Sequence, residues 1–153
     1  MIKKFLLAVS FFLTLIVVVT TVKFITTGDL NFGKGSTVII GNTEIKVELA
    51  DTQSARIKGL SGREALGNNE GMLFVFPEKS VQKFWMKEMK LSLDIIWIDG
   101  ERIAGIVYGA EPETGDQLTI YSSPEPVDKV LEVNAGTASA KGIRVGDVIS
   151  LNK

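Results

Sequence analysis

The chain has 153 residues and contains neither cysteine nor histidine. That excludes disulfides, thiol nucleophiles, cysteine or histidine zinc sites, haem axial histidines and Ser-His-Asp triads. A metal would have to be calcium or magnesium among oxygen ligands, and acid–base work would fall to Asp, Glu, Lys or Tyr. From Gly28 onward there are 14 basic and 18 acidic residues. This balance is opposite to the basic face of a nucleic-acid binder.

The N-terminus reads "MIKK" and then "FLLAVSFFLTLIVVVTTV", an uncharged run from Phe5 to Val22. The run is long enough to span a bilayer and lacks a small-x-small cleavage site. Lys3 and Lys4 outweigh the single Lys23 beyond it, so the expected orientation is N-terminus cytoplasmic and body outside. Residues 1–27 are read as a transmembrane anchor and the chain as a single-pass membrane protein. The alternative is a cleaved signal and a secreted body. Residues 28–36, "GDLNFGKGS", form a Gly-rich linker. They nearly spell a phosphate loop, but Gly35 stands where Ser or Thr should be, and no strand precedes them.

Residues 37–153 read as one exported domain. "TVII" and "TEIKVELA" flank Gly41-Asn42, a hairpin signal. Ile45, Val47 and Leu49 alternate with charged residues as a half-buried strand should. Asp51 can cap a short helix over Thr52 to Lys58 that stops at Gly59, with Leu60 as its apolar contact. Ser61 to Glu64 read as a capping box opening a single turn. A buried strand follows over Met72 to Phe76.

Pro77 to Ser80 then turn the chain into "KFWMKEMKLSLDIIWIDG". Strand parity puts Phe84 and Met86 on one face, with Trp85 on the other beside Lys83 and Lys87. Leu91, Leu93, Ile95 and Trp97 share a face, opposite Ser92, Asp94, Ile96 and Ile98. Asp99-Gly100 signals a hairpin returning through Tyr108. "GAEPETGDQL", Gly109 to Leu118, is an acidic loop without the ligand spacing of an EF-hand. "TIYSSPEP" and Val130 to Val133 add short strands. A short helix from Thr137, a Gly142 stop, a turn closed by Asp147 and a last strand complete the chain. Many short strands with two or three short helices predict a mainly β (α+β) barrel-like or sandwich domain.

The motifs "GLSGREAL", "GMLFVF", "FWMK", "LDIIWID", "VLEVNAG" and "GIRVGDVISL" follow one another over Val47 to Leu151. In that order they resemble the domain-of-unknown-function family numbered 192, small and frequently exported prokaryotic proteins. The resemblance implies a compact, mostly β barrel-like fold. It implies no reaction, cofactor or partner. Where family members usually read "FWMKNT", this chain has Glu88-Met89 in place of Asn-Thr, and Ser61 stands where a methionine is common.

Four residues are singled out as candidate ligand contacts: Arg63, Trp85, Lys87 and Asp94. Trp85 between two lysines can stack on a sugar or other flat ligand while the ammonium groups hold its anionic parts; covered by a loop, it would be core. Asp94 lies mid-strand on an apolar face, where an unpaired carboxylate is costly. It is therefore paired with Arg63 or a lysine, or else it sits at a pocket floor. Arg63 can clamp a carboxylate ligand or tie the Gly-rich turns to Asp94. No catalytic residue, metal site or cofactor is assigned, because no nucleophile–base–orienter set can be assembled. The preferred reading is a membrane-tethered envelope module that binds a small molecule or glycan. A carboxylate-dependent hydrolase of envelope glycans or esters, and a structural or protein-partner module, are the alternatives.

Overall fold

The computed structural model describes residues 35–113 and 118–153. The apolar run 5–22 and residues 114–117 of the acidic loop lie outside them. Among the described residues, no helix is long and apolar enough to cross a membrane.

The described residues form nine strands and two short helices. In chain order they are β1 (Thr37–Ile40), β2 (Thr43–Ala50), α1 (Gln53–Lys58), β3 (Glu70–Ser80), β4 (Lys83–Phe84), β5 (Leu93–Asp99), β6 (Arg102–Ala110), β7 (Tyr121–Ser122), β8 (Val127–Asn134), α2 (Thr137–Ala140) and β9 (Ile149–Asn152). Seven strands form one sheet in the order β6-β5-β8-β3-β2-β1-β9, and β4 pairs with β7 in a separate ribbon. All pairings are antiparallel except β2 with β3, which run parallel. A parallel pair needs a crossover, and residues 51–69, including α1, supply it.

The sheet curls into a half-barrel. Its two edge strands approach where Arg102 bridges Val148. There the Ile103 N–H donates to the Asp147 carbonyl at 2.9 Å, and the Ile149 N–H donates to Glu101 at 2.7 Å. Bringing edges together in this way removes exposed pairing groups.

The curl divides the apolar residues into two cores. Inside it lie Val38, Ile45, Val47, Leu73, Ile96, Ile98, Leu131, Val133 and Ile149. On the convex face lie Met72, Phe74, Leu93, Ile95, Trp97, Val127 and Val130, under Leu60 and Met86. β5 is therefore buried on both faces from Leu93 to Ile98, whereas parity alone suggests one apolar face. Its continuous "LDIIWI" fits a central strand.

Local details follow the residue chemistry. Gly41 and Gly100 have φ of 57° and 61° at the first turn position of their hairpins, as a type II′ turn requires. The second hairpin turns on Gly100-Glu101, since Asp99 pairs with Arg102. This is one residue later than the Asp99-Gly100 reading. Thr52, not Asp51, caps α1, its Oγ1 accepting from the Ala55 N–H at 3.2 Å. Ser61 to Glu64 form turns, not a helix. β3 extends past Pro77 because its pairing with β8 shifts register between Val75 and Ser80, a bulge that accommodates a residue with no N–H.

Candidate functional site

Beside α1 the convex face opens into a cleft of about 220 Å³. Arg56, Ile57 and Lys58 of α1 form one side, and Gln82 to Trp85 form the other. Phe74, Phe76, Leu60 and Met89 line the interior together with Glu132. The volume lies below the ~300–1,000 Å³ of drug-sized sites, so it suits a small ligand or one end of a longer one.

The ribbon β4–β7 builds the aromatic wall. Lys83 pairs with Ser122 and Phe84 with Tyr121. The Ser123 hydroxyl fixes the entry to this ribbon, accepting from the Gln82 N–H at 3.0 Å and donating to the Glu125 carbonyl at 2.7 Å. Parity then sends Phe84 inward. It meets Phe74 edge-on at 4.9 Å and Trp97 at 5.5 Å, a favoured aromatic geometry. The next residue, Trp85, is left 50% exposed at the rim.

The opposite wall is held by Arg56. Its Nη1 donates to the carbonyls of Asp51 at 2.7 Å and Val75 at 2.8 Å. Its guanidinium carbon lies 5.4 Å from the Phe76 ring centroid, within cation–π range. Arg56, Lys58 and Lys83 are the basic residues of the lining, and Glu132 is its one acid.

Glu132 is the unusual group. In β8 it pairs across to Met72 on one side and Ile95 on the other, so its flanking partners are apolar. It is 5% exposed. No described residue is hydrogen-bonded or ion-paired to its carboxyl. Burial pushes its pKa from the ordinary 4.5 up to about 8. An ionised carboxylate without a partner is too costly there, so at neutral pH the group is a carboxylic acid. A neutral acid can both donate and accept a hydrogen bond. Its sequence signal is a single charge inside the otherwise apolar run Val130 to Val133, which by itself reads only as a short strand.

The four residues singled out from sequence do not converge. Trp85 lines the cleft; Arg63, Lys87 and Asp94 are not among its lining residues. Arg63 is ion-paired with Glu48, not with Asp94. Lys87 is exposed in the turn from Met86 to Met89. Asp94 is fully buried on the concave side. One of its oxygens accepts from the N–H groups of Gly109 at 2.9 Å and Gly136 at 3.1 Å, and the other from Ala138 at 2.9 Å. Asp94 thus caps α2 from across the fold, since Gly136 at the cap position has no side chain to do so. Neither the expected Arg63 pairing nor a pocket floor describes it. Asp94→Asn keeps one acceptor oxygen and sets an NH₂ against an N–H. It is expected to lower stability by about 1–3 kcal/mol in chemical denaturation.

The segment from Gln82 to Met86 is also less regular than a strand. Beyond Phe84 the chain turns, and Glu88 takes φ of 61°. The Met89 N–H closes the turn on Met86 at 3.3 Å, and the Glu88 carbonyl accepts from Gly62 at 3.1 Å. A left-handed backbone disfavours Glu and tolerates Asn, the family's usual residue there. Glu88→Asn is expected to raise the unfolding free energy by about 1 kcal/mol, read as a higher denaturant midpoint. Among the described residues, no group of three or more acidic side chains is placed to hold a metal ion.

A curled, mainly β half-barrel with a cleft beside a short crossover helix is the class of domain these features define. The chain belongs to the DUF192 family, described as an uncharacterized ACR, whose model matches residues 36–151. Two solved structures are similar. One, a candidate transcription regulator from Sinorhizobium meliloti, is 35% identical, with a TM-score of 0.69 over 76% of this chain and 91% of its own. The other, a protein of unknown function from Novosphingobium aromaticivorans, is 33% identical, with a TM-score of 0.68 over 75% of this chain and 82% of its own. No curated protein matches the chain.

Proposed function

We propose that this domain is a small-ligand-binding module, tethered outside the cell by the apolar run 5–22, and that the ligand enters the cleft between α1 and Trp85. The observation that carries the reading is Glu132. It is a buried carboxyl without a partner among the described residues, lining a cleft that Phe74, Phe76, Phe84 and Trp85 line with aromatic rings. Buried polar groups are almost always hydrogen-bonded, so one left open toward a cavity is a place where a ligand can supply the partner. Trp85 at the rim adds a flat surface for stacking at little ordering cost.

A library of small sugars, carboxylates, phosphates and amides tests the reading on the full chain in detergent. Binding is expected from at least one class, and Trp85→Ala is expected to abolish it while leaving the melting temperature nearly unchanged. Binding that survives Trp85→Ala would place the ligand elsewhere. Tethering is tested separately, by protease digestion of the body in spheroplasts.

A hydrolase reading draws on the same carboxyl, because a proton held to about pH 8 suits a general acid. It needs a second group to deliver water or a nucleophile. Glu132 is the one acid in the cleft lining, so binding is the better-supported function.

A further inference from the structure

We propose, taking the cleft as a binding site, that its ligand is a small organic anion with a planar or apolar body and a neutral hydrogen-bonding end. Arg56, Lys58 and Lys83 would take the anionic head at the mouth, and the Glu132 carboxyl would take the neutral end inside.

The mouth is cationic. Lys58 and Lys83 are exposed, and none of the three basic residues is ion-paired among the described residues. Arg56 is already oriented by two backbone carbonyls and the Phe76 ring, so little further ordering is needed to bind an anion. A cationic ligand would have to pass three like charges. The walls between mouth and interior are Phe76, Phe84, Trp85 and Met89, which fit a flat or apolar body and offer it no charge.

Inside, Glu132 is the one acid of the lining, beside the half-buried polar residues Ser61 and Gln82. Around Glu132, β3 presents Met72 and β5 presents Ile95. The titratable groups that line the cleft with it are Arg56 and Lys58 from α1 and Lys83 from β4. Held protonated, the carboxyl matches a hydroxyl, amide or carbonyl and does not repel the anion at the mouth. Ionised, it would repel that anion and lose its donor. Binding should therefore weaken as pH rises through about 8, the value to which burial pushes this group.

The test uses the full chain in detergent and three probes sharing one ring and one hydroxyl: 4-hydroxyphenylacetate, its amide, and tyramine. By titration calorimetry at pH 7, the anion should bind at least tenfold more tightly than the amide, and tyramine most weakly. Glu132→Gln puts a group that cannot ionise at the same place, so its affinity at pH 7 is the reference for its own value at pH 9. Between pH 7 and pH 9 wild-type affinity should fall about tenfold, following the protonated fraction, while the Gln variant holds. Lys83→Ala should weaken the anion and reduce its salt dependence.

Tightest binding by tyramine, abolished in Glu132→Gln, would overturn the proposal in favour of an ammonium held by an ionised carboxylate. Equal binding of anion and amide would remove the role of the mouth. An equal loss at pH 9 in both proteins would remove the role of Glu132. If all three probes fail while another library class binds through Trp85, the ligand class is wrong and the binding reading stands. If nothing in the library binds, both fail.

Discussion

Trp97→Ala is expected to cost about 3–5 kcal/mol of stability, the range for truncating a buried aromatic side chain. Trp97 is 1% exposed and packs edge-on against Phe84. Its register partner on β6 is Gly105, where even a methyl group would stand 3.2 Å from the indole and 2.9 Å from Pro124. The glycine leaves the space that the indole fills, so truncation opens a cavity that the β5–β6 pair cannot collapse. Trp85→Ala removes a side chain that is half in water, and its expected cost is below about 1 kcal/mol. Chemical denaturation of the two variants side by side measures this contrast. Comparable losses would mean that Trp85 is a packing residue and not a rim.

Glu132→Gln is expected to stabilise the domain increasingly as pH rises, by on the order of 4 kcal/mol at pH 8 and above. In the unfolded chain this carboxyl titrates near 4.5, and in the folded domain near 8. Below the lower value both states are protonated, and Glu and Gln should be nearly equivalent. Between the two values the folded state holds a proton that the unfolded chain has released. Wild-type stability therefore falls by about 1.4 kcal/mol per pH unit and levels off above the folded value. The amide has no such proton, and the other titrating groups cancel in the difference between the two proteins. Denaturant midpoints at several values from pH 5 to 9 give that difference directly. A flat difference across this range would show that Glu132 is not protonated by burial.

Much of the fold was legible in the sequence because it rests on local chemistry. Gly41 marked a hairpin, Gly59 ended α1, and the alternation from Ile45 to Leu49 sorted one strand's faces. The family motifs covered the body, and the model match has nearly the same span. What was not legible depends on residues far apart in the chain. The two cores bury both faces of β5, and strand parity cannot reveal that the sheet is covered on both sides. Asp94 finds its donors at Gly109, Gly136 and Ala138, up to 44 residues away, so an ion pair was the natural local guess. Parity set Trp85 on the face opposite Phe84 and Met86 and left open whether a loop covers it; its exposure at the rim depends on packing. Glu132 was overlooked because a charge in an apolar strand is usually neutralised by a partner. Only the packed neighbours, Met72 and Ile95, show that β3 and β5 offer none.

A ligand in the cleft is expected to touch both Trp85 and Glu132. The chain has two tryptophans, so labelling the full chain with 5-fluorotryptophan gives two ¹⁹F resonances, one from the rim and one from the core. The small-molecule library is then titrated against wild type and Glu132→Leu, a variant without the polar group. The expected result is a ligand that moves the Trp85 resonance saturably, leaves the Trp97 resonance in place, and loses at least tenfold in affinity in the Leu variant. A ligand that binds equally well to the Leu variant, or moves neither resonance, would contradict the claim.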